Sequence, residues 1–338
     1  MNLYPLPNHA DPDNRYNYAY NEAMPLNRWQ LTSRLDWNVN ERTHAYVRLA
    51  LENERQEWFR GIWNCCSHYE LPSAALGDNQ AWSVAANLTS VLSPSLTNEV
   101  VFSASQLKLD NDWKDPSKMS ATALGLEGFE GFFPSASATA PIPVVSVGQN
   151  LGYLYAIGGN VYAHNDSVSL ADTLTKVTGT HSIKLGVFVE RGQKQQNGIT
   201  DRSVVIGSPW TPSGTGNDYG DLLTGRMAQY YQTTDSPQGE FRFWSFEGYL
   251  QDSWKVRRNL TVDAGVRVAK MPNNEELTGH AVRFEPSAYD PTQGAYVGGD
   301  PQRPNGVLQA RLGEIPDGIT DSPGVKVMPR LNFAWDPW

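Results

Sequence analysis

The chain has 338 residues, with 27 Lys and Arg against 36 Asp and Glu and no basic run, so a nucleic-acid footprint and a basic membrane-surface helix are excluded. Mean hydropathy is −0.48, and nothing approaches the ~18 consecutive apolar residues of a spanning helix, which excludes a helical membrane protein. A membrane barrel is not excluded, because it needs only every second residue apolar and can read as hydrophilic on average.

In chain order, the first predicted strand sets Trp29, Leu31, Leu35, Trp37 and Val39 on one face and Gln30, Thr32, Arg34, Asp36 and Asn38 on the other. A turn is predicted at Asn40 to Thr43. The return strand carries Ala45, Val47, Leu49 and Leu51 on its apolar face, with His44, Arg48 and Glu52 opposite. A second pair sets Trp82, Val84, Ala86 and Leu88 against Ser83, Asn87 and Thr89, turns at Ser93 to Ser95, and returns through Val100, Phe102 and Ala104. The third is weak over Ser167 to Val177, turns at Gly179, and is clear where Ile183, Leu185, Val187 and Val189 alternate with Lys184, Gly186 and Glu190. The fourth runs from Phe241 to Trp254, turns at Arg257 to Asn259, and returns with Leu260, Val262, Ala264, Val266 and Val268 against Thr261, Asp263, Gly265 and Arg267. Leu331, Phe333 and Trp335 begin a ninth strand.

Long polar inserts separate the pairs, at 53–81, 108–166, 192–239 and 271–330, and inserts of that length are usually functional or mobile. The second contains the small-residue and proline stretch Ala136 to Pro143; in the third, Leu223, Met227 and Tyr231 recur at helical spacing and predict a short helix. Short turns at one rim and long loops at the other are the layout of an antiparallel transmembrane β-barrel with lipid outside and a polar lumen inside. The expectation is all-β: a partial barrel of about 8–9 strands, with short periplasmic turns and long extracellular loops, residues 1–338 forming part of one barrel domain. Bacterial single-chain barrels have even strand numbers, so nine points to a piece of a larger barrel. Met1 to His9 show no basic stretch followed by an apolar core, so no secretory signal is legible there.

The lumen-facing candidates are Arg34, Asp36, Arg48, Glu52, Lys184, Glu190, Asp263 and Arg267. They fit a pore wall that meets a plug or solute, and equally a hydrated wall braced by cross-strand ion pairs. Trp29, Trp37, Trp82 and Trp254, at or near predicted strand ends, are membrane-interface candidates, although ordinary packing accounts for single tryptophans as well. Trp58, Trp63, Trp113 and Tyr219 in predicted loops are candidates to stack on a sugar or siderophore; isolated exposed aromatics commonly need no such role. Adjacent Cys65 and Cys66 are poorly placed for a mutual disulfide and, with His68, make an incomplete zinc pattern, so two loop thiols are the plainer reading. No His-Glu-x-x-His, Gly-x-Ser-x-Gly or phosphate-binding Gly-Lys-Ser/Thr occurs, and Gly214, Gly216 and Gly220 miss the dinucleotide spacing by one residue. No catalytic, cofactor or metal residue is nominated.

Gly248 to Arg267, "GYLQDSWKVRRNLTVDAGVR", resembles a strand, turn and strand of the barrel of TonB-dependent outer-membrane receptors, particularly the Oar-like group. Thr180 to Gly186, "THSIKLG", Pro329 to Trp338, "PRLNFAWDPW", and Asn27 to Leu49, with Arg34, Asp36 and His44, resemble other segments of that barrel. The resemblance implies a bacterial outer-membrane receptor that binds a bulky scarce ligand, a small molecule or oligosaccharide, at its outer loops and passes it to the periplasm. Its partners would be outer-membrane lipid and the TonB complex, the latter through an N-terminal part that, like the plug, cannot be placed in this sequence. The alternative is a secreted β-sandwich or propeller that binds or cleaves carbohydrate. A sandwich would bury the apolar face against a second sheet, whereas a barrel shows it to lipid.

Overall fold

Period-two alternation commits a segment to a pleated strand whose faces meet different surroundings, and a register slip of one residue would exchange them. The computed structural model describes residues 5–13, 16–59, 72–120, 122–123, 125, 144–147, 152–154, 161–197, 202–206, 214–232 and 238–337. Its wall strands are β1 (Leu26–Asn40), β2 (Thr43–Trp58), β3 (Ala75–Ser93), β4 (Leu96–Trp113), β5 (Val161–Thr178), β6 (His181–Asn197), β7 (Gln238–Arg257), β8 (Leu260–Lys270) and β9 (Lys326–Trp335). They pair in chain order into one antiparallel sheet, with Glu275–Glu276 added beside Phe241–Arg242. All four expected hairpins are present, and their turns have local causes. Asn40 Oδ1 accepts from the Arg42 amide at 2.9 Å, and Gly179 supplies a φ of 57° that a side chain would resist.

The register is staggered. One row of paired residues runs from Trp37 through Ala45, Leu88, Val100, Asp172, Val187, Gly248 and Val268 to Val327. In the first hairpin this row lies three residues from the strand end at Asn40; in the fourth, Gly248 lies nine from Arg257. A drift of about one residue per strand, at ~3.3 Å rise and ~4.8 Å spacing, tilts the strands by roughly 35°, within the tilt range of a membrane barrel wall.

The wall has no dry layer behind it. Among the described residues no second sheet covers the apolar face: Leu35, Leu331 and Phe333 are 72%, 74% and 77% exposed. The buried apolar residues, Ala75, Met119, Val161, Ala163, Ala269, Ala281 and Ile315, sit at the loop-side strand ends or in the loops. A sandwich would have buried the face that is uncovered here.

Three expectations need correction. The strands extend well past the predicted pairs: β2 continues to Trp58, β3 starts at Ala75, and β4 reaches Trp113. Beyond the apolar band neither face is held against hydrocarbon, so the backbone ladder continues while the alternation fades, with small residues such as Ala75 and Ala163 buried at the strand ends. Trp58 and Trp113 are therefore strand residues, and Trp82 lies seven residues inside the start of β3. The helix predicted through Leu223, Met227 and Tyr231 stops at Thr224, because Gly225 takes the left-handed conformation at φ 66°; Met227–Gln232 is a strand. The helix α1 spans Asp218–Thr224.

Candidate functional site

All eight lumen-facing candidates fall on one face. Arg34 pairs with Arg48, and that row continues through Ala85, Ser103 and Ser169 to Glu190. Glu52 opposite Gln30, Lys184 opposite Gln251, Asp263 opposite Ser253 and Arg267 opposite Tyr249 share the same parity. Some of them meet partners on their own or a neighbouring strand. Arg34 meets Asp36 at 2.7 Å with its guanidinium 3.9 Å over the Tyr46 ring, Arg28 reaches Glu52 at 2.7 Å, Ser167 donates to Glu190 at 2.8 Å, and Arg267 bonds Glu247. The side chains of Arg48, Lys184 and Asp263 make no ion pair or hydrogen bond among the described residues. Exposed pairs of this kind are screened by water, so they orient side chains more than they hold the wall together. Arg28, Tyr46 and Glu247 were missed in the sequence, although counting by twos from Arg34, Arg48 and Arg267's partner strand would have found them.

The four interface tryptophans share the opposite face and fall at two levels. Trp37 and Trp254 each lie three residues before a turn, at Asn40 and Arg257; Trp29 and Trp82 each lie eleven before one, at Asn40 and Ser93. Eight residues between levels is ~27 Å along a strand, or roughly 22 Å in height at the tilt above, close to the ~25 Å apolar band of outer-membrane barrels. Polar groups gather at both levels. Trp254 stacks on His181, whose Nδ1 is 2.6 Å from Asp252, while Trp82 donates to Gln106, and Gln106 to Asp166.

One polar pair interrupts the band. Asn98 donates to Asp172, which lies in the row of Val100 and Val187, six residues from the strand end at Thr178. Replacing both by valine is expected to stabilise the whole protein in bilayers by about 1–2 kcal/mol, since a carboxylate at that depth is costly. Urea titration in vesicles would read the gain; a loss of stability would place this pair in contact with something other than lipid.

At the loop rim, Trp58 and Trp113 flank the fully buried Ala75 and share the polar face's parity. The Trp58 ring lies against Gly77, where an added Cβ would come 2.5 Å from it. Tyr219 is on α1 and 48% exposed. Trp63, Cys65, Cys66, His68 and the stretch Ala136 to Pro143 lie outside the described residues. Among those described, no cluster of His, Cys, Asp and Glu fits a metal ion. Two long loops share one sheet: Val144–Val147 pairs parallel with Arg202–Ile206 and antiparallel with Gly152–Leu154, and Met227–Gln232 pairs with Arg202–Ile206.

The last loop is tied to the wall where Arg242 bonds Glu275 at 2.7 Å. Next to it, burial pushes the Glu276 carboxyl up, but hydrogen bonds from the Thr278 hydroxyl and from the Thr278 and His280 amides outweigh that and hold it below its ordinary value of 4.5. A carboxyl depressed on folding stabilises the loop above its unfolded value and stops doing so as pH falls through the folded one. Hydrogen exchange at Thr278 and His280, corrected for intrinsic rates, should therefore rise on acidification below pH 4.5. Glu276→Gln should remove most of that dependence; an unchanged profile in the variant would contradict the assignment.

The sequence matches the family described as outer membrane beta barrel domain over residues 1–338. No curated protein matches it. Solved structures similar to it include the siderophore receptor PiuA from Acinetobacter baumannii, at 11% identity and TM-score 0.49 over 93% of this chain and 40% of that one. The copper transporter OprC gives 9% identity and TM-score 0.45 over 92% of this chain and 34% of that one. The ferric-catecholate import receptor Fiu from E. coli, in its closed form, gives 10% and 0.41 over 91% and 40%. The chain thus spans two fifths or less of the length of each of these three.

Proposed function

The chain belongs to the outer membrane β-barrel domain family, and on that premise we propose that it forms part of the wall of a TonB-dependent receptor. Its place is the bacterial outer membrane. In this reading the loops on the long-loop rim capture a bulky, scarce solute, the polar face lines its passage to the periplasm, and no step is enzymatic. Plug and TonB-engaging segment would come from parts of the protein beyond residues 1–338. The carrying observation is the asymmetry of connections: Asn40–Thr43, Ser93–Leu96, Thr178–His181 and Arg257–Leu260 close tightly at one rim, while every long connection returns at the other. A soluble sandwich has no reason to sort its connections in that way. The strand-turn-strand segment Gly248 to Arg267 supports the receptor type and, within it, the Oar-like group.

The test is direct binding between the purified whole protein in detergent and the periplasmic domain of TonB from the same organism. Saturable binding, lost when the segment ahead of the plug is deleted, is expected. No binding, in a preparation whose barrel is folded, would contradict the receptor assignment.

A further inference from the structure

We propose that the outward face of the third and fourth hairpins, at the short-turn rim, carries a site for a phospholipid whose headgroup holds two phosphates. This rests on the apolar face meeting lipid and on the short turns lying at the periplasmic rim, where the leaflet is phospholipid. In a chain with 36 Asp and Glu against 27 Lys and Arg, residues 175–184 and 253–262 hold Lys176, Lys184, Lys255, Arg257 and Arg258 and no carboxylate. The other two turns differ: Arg42 sits beside Glu41, and Ser93–Leu96 carry no charge. The basic character is thus confined to two neighbouring hairpins. Register divides it between the faces. Lys184 and Lys255, opposite Gln251 and Thr261, share the polar face. Lys176 pairs with Ile183 and faces outward. Arg257 would follow Lys255 inward, but the register shift between them pairs it with Leu260, in the outward row of Leu260 and Trp335.

These outward cations border an aromatic shelf. Trp254 stacks on His181 with ring centres 5.4 Å apart and stays 42% exposed, which leaves surface at headgroup level for the glycerol and first methylenes of a lipid. Lys176 donates to Ser95 Oγ at 2.7 Å, which holds the ammonium at the rim and leaves its other two hydrogens for an anion. The Arg257 and Arg258 side chains make no ion pair or hydrogen bond among the described residues. Two carboxylates border the patch: Asp252, turned to His181 Nδ1 at 2.6 Å, and Asp336, which follows Trp335. Cations still exceed them, so the patch fits an anionic headgroup, to which each Lys or Arg near the surface adds attraction. Lys176 lies two strands from β7, through Ile183 to Asp252, a lateral ~10 Å. Arg257 is a further five residues toward the turn, so the two cations stand apart and each meets a phosphate of its own. Two phosphates joined through glycerol, as in cardiolipin, span that separation.

The test uses the whole protein in detergent, titrated with cardiolipin and read by native mass spectrometry. A single cardiolipin should be retained saturably, and Lys176→Gln with Arg257→Gln should weaken it about tenfold or more. Arg42→Gln with Lys255→Gln, which removes the same charge from the same rim but not from the outward patch, should leave it unchanged. Phosphatidylglycerol at equal phosphate should bind several times more weakly. Failure to retain cardiolipin, wild-type retention by the Lys176 and Arg257 variant, or equal binding of phosphatidylglycerol overturns the site. Glu41→Cys in an otherwise cysteine-free protein, met by a membrane-impermeant maleimide on intact cells, checks the orientation separately. Labelling only after the outer membrane is permeabilised is expected, and with that result a failure to retain cardiolipin removes the site while the orientation stands. Labelling in intact cells would put this rim outside and overturn both.

Discussion

Arginine at Leu49 or Val266 is expected to destabilise the whole protein in bilayers by ~2–4 kcal/mol. Both residues lie on the apolar face, each six residues from the strand start at its turn, Thr43 and Leu260, midway between the two tryptophan levels. A guanidinium there must snorkel past several rows of apolar neighbours or drag water into the bilayer. Ala45→Arg, two residues from the turn, should cost far less because the headgroup region is within reach. Ser169→Arg, on the polar face, should be nearly neutral. Urea-induced unfolding from lipid vesicles measures all four, and equal costs at Leu49 and Ser169 would contradict the assignment of faces.

Gly186→Val is the second change with a large expected effect, about 1–3 kcal/mol, typical of overpacking. Its Cβ would occupy the space of the Tyr249 ring, so the ring must leave the sheet and give up its bond to Thr173. The cost should fall in a Tyr249→Ala background, where nothing lies over the glycine. A double-mutant cycle reads the difference as a coupling between two residues 63 positions apart in sequence but opposite in the ladder. Additive effects would mean that the ring does not lie on Gly186.

The wall was legible in the sequence because a bilayer imposes a binary rule on each strand between the tryptophan levels. Val262, Val266 and Val268 alternate with Asp263 and Arg267 because one side is hydrocarbon and the other water. Where that rule lapses, so did the reading. Asp110 to Trp113 and Ala75 to Gln80 stand above the band, where the face opposite the polar side no longer meets hydrocarbon, and the polar face is covered locally by Trp58 over Gly77 and by the buried Ala75 and Asn111, a packing that the sequence pattern does not show. Leu223, Met227 and Tyr231 kept helical spacing across Gly225, whose backbone ends the helix. Phe243 and Tyr249 read only as an aromatic-rich strand, since their position on the polar face runs against the binary pattern. Their explanation, Gly192 and Gly186, lies on another strand that one sequence does not align for the reader.

Nitroxide scanning of β8 in the whole protein, reconstituted in bilayers, tests the central claim most directly. Labels at Val262, Ala264, Val266 and Val268 should collide with dissolved oxygen, and labels at Thr261, Asp263, Gly265 and Arg267 with a water-soluble nickel chelate, alternating residue by residue along Leu260–Lys270. Equal accessibility on both faces, or the reverse pattern, would contradict a wall with lipid against its apolar side and water against its polar one.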